Sequence, residues 1–195
     1  MSLALLGVLG FSFSLPWTVW ALESFAPVLT ATGRAVIAAS LAIVVLLARR
    51  VPWPQRHQVK PLLYTMTGAV FGWPILIALA LERTTAAHAA VIAAVMPLVT
   101  AVIAVLRTHE RVSRQFWLAA ACGTAALVVF ALLRGGGEGG SLTADALIAG
   151  AVVASSWCYV EGATLTKEMP GWQVISWVVV FALPITLPVS VILAA

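Results

Sequence analysis

Charge is the scarcest feature of this sequence. Lysine, arginine, aspartate and glutamate make up 9% of its 195 residues, whereas a soluble domain usually carries about a quarter. With 62% hydrophobic residues and a mean hydropathy of +1.05, a water-soluble fold would expose too much apolar surface, so the chain is a membrane protein. The net charge of +4 is divided among short loops and gathered on no single face, which argues against a nucleic-acid partner. Cysteine is nearly missing too. Cys122 and Cys158 lie in apolar stretches without redox or metal spacing, and each reads as a small apolar residue. His88 is the one histidine inside an apolar run, and no aspartate falls within the runs to orient it as a hydrolase base. His109 and Glu110 open an HExxH zinc pattern, but Ser113 stands where the second histidine belongs. No catalytic residue, metal or cofactor is expected, and the chain is read as a non-enzyme.

Long apolar runs are what the sequence has in abundance. Seven segments reach the roughly 18 to 20 residues that cross a bilayer as helices: Leu3–Leu22, Pro27–Ala48, Pro61–Leu81, Thr84–Leu106, Phe116–Leu133, Ala146–Thr166 and Trp172–Ala195. The expected fold is therefore an all-α, polytopic transmembrane helix bundle. MSLALLG has no basic n-region, so the first run reads as a retained helix. Arg49, Arg50, Arg56 and Lys60 follow the second run, Arg107, Arg111 and Arg114 the fourth, and Lys167 the sixth. The opposite loops hold only Arg83 and Arg134, which places the N-terminus in the cytoplasm and the end of the seventh helix outside.

The fourth run is expected to be central. Ala86, Ala90 and Ala94 make one flat face, and Pro97 removes a backbone hydrogen bond that lipid would leave unsatisfied. His88 on this helix either bonds a neighbouring helix or contacts substrate and exchanges protons. In the first helix Phe13, Trp17 and Trp20 share a face beside Pro16; Trp20 suits the interface, and Trp17 suits lipid or a cavity equally. Arg34 snorkels to the outer interface or meets an anion in an outward-facing cavity. Gly68 and Gly72 are packing residues, followed by Trp73 and Pro74, with Trp73 lining a pocket between the first, third and fourth helices or filling the core. Ser113 caps the fifth helix, and the glycine-rich run from Arg134 to Ser141 lacks the GK[ST] of a phosphate loop and reads as a linker.

After that linker the pattern repeats. At an offset of 143, Gly7 falls on Gly150, Ser12 on Ser155, Leu22 on Leu165 and Pro27 on Pro170. Five helices separate the copies, so the second enters the membrane upside down, as in the inverted repeats of secondary transporters.

Thr85, Ala87, Ala90, the mid-span Pro97, the loop Glu110, Arg111, Val112 and Ser113, and Gly123 together resemble the end of an EamA-type domain of the drug/metabolite transporter superfamily. Arg34 after Pro27, and Trp177, Pro184 and Pro188 in the last helix, also match, while His109 departs from the usual glycine. The resemblance implies ten helices in two five-helix repeats, of which this chain supplies repeat one over 1–142 and the first two helices of an inverted second repeat over 143–195. It implies a secondary transporter or exporter of a small organic metabolite or drug across the cytoplasmic membrane, working by alternating access. A seven-helix receptor or sensor, or a truncated fragment that does not transport, are the alternatives. Trp17, Trp73, His88, Trp157 and Tyr159 are the expected substrate contacts, with Arg34 supplying charge. His88 and Glu161 are the candidates for proton coupling, Glu161 alternatively snorkelling beside Lys167. The expected partners are the lipid bilayer and the small-molecule substrate, with a homodimer left open.

Overall fold

The computed structural model describes residues 10, 12–108, 113–131, 133 and 141–194. Among these the chain is helical and without strands: α1 Ser14–Leu22, α2 Pro27–Ala48, α3 Arg56–Leu81, α4 Ala86–Thr108, α5 Arg114–Ala131, α6 Leu142–Leu165 and α7 Gly171–Ala194. α2, α3, α4, α6 and α7 are each long and apolar enough to cross a membrane. Residues 109–112 of the HExxH-like loop and 134–140 of the glycine-rich linker lie outside the described residues. The chain is an all-α polytopic membrane bundle.

Lipid gives no hydrophobic reward for bringing helices together, so small residues and polar contacts must hold the bundle. α2 and α7 pack antiparallel. Ser190 near the end of α7 donates to the Thr32 hydroxyl near the start of α2 at 2.9 Å, while Trp53 beyond the end of α2 meets Trp177 near the start of α7 with ring centroids 4.8 Å apart. Along this interface Ala31, Ala35 and Ala39 are buried, and so are Val174, Val178 and Ala182, the residues that follow them by 143 positions.

Two prolines reshape their helices in the way a missing donor dictates. Before Pro74, α3 widens into a π-helical segment over Thr67–Gly72, closed by the Trp73 amide donating to the Gly68 carbonyl. Before Pro97, α4 breaks at Ala94 and Val95, leaving helices Ala86–Ala93 and Met96–Thr108. The widened turn brings α6 against glycine: a Cβ at Gly72 would lie 2.5 Å from the Ala154 side chain, and one at Gly68 would collide with the Ala154 carbonyl oxygen. These are the packing glycines that their spacing predicts.

The centre of the bundle is not α4. Of the most apolar stretch of α4 only 11% is buried, against 50% in α3 and 44% in α6. Pro97 is exposed, while Ile92, Ala93, Met96 and Val99 on either side of the break pack against the core. The alanine stripe marks a close-packing helix, but the helix that fills the middle is α6, seated between α3 and α4. α5 packs on α4 and is capped by Ser113 accepting from the Phe116 amide at 3.2 Å.

Candidate functional site

Two regions carry polar chemistry at membrane depth. The first is a seam between α4 and α6. Thr85 caps α4 by accepting from the His88 amide at 3.1 Å, and Ser141 caps α6 by accepting from the Ala144 amide at 3.2 Å. These caps fix the two helix starts side by side, with Asp145 in the first turn of α6, where the helix dipole favours an acid. His88 Nε2 and Asp145 Oδ1 then lie 2.7 Å apart. Further along, the hydroxyls of Thr100 and Ser156 share a hydrogen bond of 3.0 Å. Near the other end Arg107 Nε donates to Glu161 Oε1 at 2.6 Å. The partners advance together along both helices, so α4 and α6 run parallel and are joined at three depths.

Glu161 therefore does not snorkel. It is 1% exposed and held by Arg107, whose side chain is about half exposed, 49%. The partner is a residue that reads as a loop charge from sequence, because the apolar run ends at Leu106 and α4 continues to Thr108. Asp145 escaped notice for the mirror reason: α6 starts at Leu142, four residues before the apolar run. His88 does have an aspartate in reach. The Thr100 and Ser156 rung carries no charge and gives no signal in a single sequence.

The second region is a groove of about 600 Å³ between α1, α2 and the end of α7. Ser14, Trp17, Thr18, Phe25, Thr30 and Arg34 are among its lining. Trp17 is 60% exposed and stacks on Phe13 with centroids 5.8 Å apart. Arg34 has no hydrogen-bonding or ion-pair partner among the described residues, and the lining holds no carboxylate. Thr18 donates to the Ser14 carbonyl at 2.6 Å, which satisfies its hydrogen within the helix. The Thr30 hydroxyl is buried without a partner.

The structure brings Trp17 and Arg34 together but does not unite Trp17 with Trp73 and His88. Trp73 is 8% exposed and packs with Ile77, Ala80, Ala89, Ile148, Ala151 and Val152. It is among the lining residues of neither cavity. Trp157 edges a shallow apolar cavity of about 630 Å³ over Gly68 and Gly150, and Tyr159 is exposed on the outside of α6.

A seam of paired groups and a mostly apolar groove that carries one arginine, both within a polytopic membrane bundle, suit a transporter, and comparison with known proteins agrees. The EamA-like transporter family matches residues 1–132. The chain belongs to that family. An uncharacterized transporter of Bacillus subtilis (strain 168), YdeK, is 43% identical to this EamA-like chain over 185 residues, covering 95% of the chain. The chain spans 64% of that relative's length. A crystal structure of another protein superposes with a TM-score of 0.67 over 95% of this chain and 67% of the other, at 20% identity, a likeness of fold alone.

Proposed function

We propose that the chain forms part of a secondary transporter that moves a small organic solute across the cytoplasmic membrane by alternating access of two inverted repeats, 1–142 and 143–195. Family membership favours transport over catalysis. The observation that carries the mechanism is the α2 and α7 interface: two helices at an offset of 143 lie antiparallel and bury the same three positions against each other. An inverted repeat requires that relation, and rocking one repeat against the other about such an interface opens the two sides in turn.

The contacts that join the repeats support the same reading. His88 with Asp145 lies at one end of the bundle and His57 with Glu168, 2.8 Å apart, at the other. Each links residues 1–142 to residues 143–195, so opening on either side must part a histidine–carboxylate pair. His88 and Glu161 remain the candidates for proton coupling, each already joined to a partner it would exchange during the cycle. In this orientation the N-terminus is cytoplasmic. Arg34 and Trp17 would meet substrate from the outer half, and Trp157 and Tyr159 on α6 would do so only when the second repeat moves.

The test is solute counterflow in proteoliposomes by a protein of the relative's full length. Uptake driven by a preloaded gradient and abolished by a disulfide locking α2 to α7 is expected; uptake indifferent to the lock would exclude repeat rocking. Impermeant labelling of intact cells tests orientation: Ser141→Cys should react and Gln55→Cys should not.

A further inference from the structure

We propose that the groove between α1, α2 and the end of α7 binds a small organic carboxylate with an apolar, aromatic-sized body, its carboxylate held by Arg34. The inference deepens the transporter reading by naming a substrate class, and it rests on that reading only for the step of transport.

Arg34 lies seven residues into α2, about 10 Å along the helix axis at 1.5 Å per residue. A cation at such depth is costly and is ordinarily paired. The two other ionisable groups within the spans follow that rule, His88 with Asp145 and Glu161 with Arg107. Arg34 alone of these three has no partner among the described residues, and it lines a groove that contains no acid. Arg34 is itself exposed in that groove, and a counter-charge for it would be an anion from outside the described residues.

The groove's chemistry selects among anions. One guanidinium offers two parallel N–H donors, which match one carboxylate in bidentate geometry. A phosphate dianion would demand a second cation, and none lines the groove among the described residues. The remaining wall is mostly apolar: Trp17 and Phe25 provide ring faces, with Ala21, Leu29 and Ile37 beside them. Such a wall takes an aromatic or branched aliphatic body. Gly33 leaves open space next to Arg34, with no atom within 4 Å of an added Cβ. That space allows a plug to be built without disturbing the fold.

The test is calorimetric binding of 3-phenylpropionate to a protein of the relative's full length in phosphatidylcholine nanodiscs, with the neutral 3-phenylpropionamide as control. The carboxylate should bind and the amide at least about tenfold more weakly, since a bidentate ion pair is lost. Arg34→Gln should remove the preference and Arg34→Lys should restore only part of it, because lysine is a point charge. Gly33→Leu should abolish binding of both compounds while the unfolding temperature holds. Equal binding of acid and amide, or binding indifferent to both Arg34→Gln and Gly33→Leu, overturns the proposal. So does Arg34-dependent loss of 3-phenylpropionate binding when phosphatidylglycerol is added, which would assign the groove to a lipid phosphodiester. Binding that behaves as expected but comes without uptake in proteoliposomes supports the groove and fails only the transport reading.

Discussion

The seam between α4 and α6 and the groove between α1, α2 and α7 hold similar side chains at similar depth in opposite states. In the seam every charge meets an opposite or hydrogen-bonding partner: His88 with Asp145, Arg107 with Glu161. In the groove Arg34 faces open space. Because lipid satisfies no polar group, pairing within the protein marks a residue that holds the fold, and an unpaired one marks a residue kept for something else. The difference separates groups that hold helices together from a cation that holds none among the described residues, and on the proposed reading it gives gating to the seam and recognition to the groove.

The sharpest way to break that division is to remove one arginine from each region. Arg107→Ala leaves Glu161 buried without a counter-charge and should destabilise by about 3 kcal/mol, the low end for a buried pair because Arg107 is half exposed. Arg34→Ala removes a charge with no partner among the described residues and should leave thermal unfolding in detergent nearly unchanged. Replacing both Arg107 and Glu161 by leucine should recover most of the loss. If the two alanine variants unfold alike, the distinction between the regions collapses.

Glycine offers the same contrast at smaller amplitude. Gly68→Ala pushes a Cβ into the Ala154 carbonyl and Cys158 across the α3–α6 contact and should cost about 1 to 3 kcal/mol by overpacking. Gly33→Ala meets nothing within 4 Å, so it should stabilise by up to about 1 kcal/mol through helix propensity. Opposite shifts in unfolding temperature are expected. Same-sign shifts would mean that α3 and α6 do not meet as closely as described.

Much of the bundle was legible because hydropathy reports span existence directly. The run Pro27–Ala48 is α2 residue for residue, and Gly68 with Gly72 announced a close approach. What hydropathy cannot report is which helix faces which. α6 is apolar nearly all round, so no polar face revealed it as the central helix, and α4's alanine stripe drew that role instead. The seam was hidden by the same limit. Asp145 and Arg107 sit where apolar runs fade into loops, and their roles exist only because α6 starts at Leu142 behind its Ser141 cap and α4 continues to Thr108. Of the expected site, the pairing of Trp17 with Arg34 depended on α1 leaning on α2, which no spacing within one helix encodes.

A third test addresses whether the seam is only structural. His88→Ala removes the hydrogen-bond partner of a half-exposed Asp145 and should cost about 1 kcal/mol, less than Arg107→Ala. His88→Gln retains a donor and should restore stability. If the His88–Asp145 pair also gates a proton-coupled cycle, His88→Gln should flatten the pH dependence of transport by a full-length protein while folding normally. A wild-type pH profile would confine His88 to packing.

The smallest effect belongs to the contact at the other end. Glu168 in the α6–α7 loop accepts from the Gln58 amide at 2.9 Å and meets His57 Nε2 at 2.8 Å. The Gln58 hydrogen bond first, then the His57 hydrogen bond and charge, hold the Glu168 carboxyl below the ordinary glutamate range, against a small opposing effect of desolvation. A depressed folded value means that the contact stabilises fully above the ordinary glutamate range, about pH 4.3, and is lost as pH falls through the lowered value. Because the pair is exposed and screened by salt, unfolding temperature should barely register it. Local geometry should. Spin labels at Arg56 and Thr166 are expected to give a narrow distance distribution near neutral pH that broadens on acidification, and a broad one at every pH in Glu168→Ala. Should the variant still narrow and broaden with pH as the wild type does, the Glu168 contact is not what holds the α6–α7 loop to the start of α3, and the burden of joining α6 to the preceding helices at this end falls on Arg107 and Glu161.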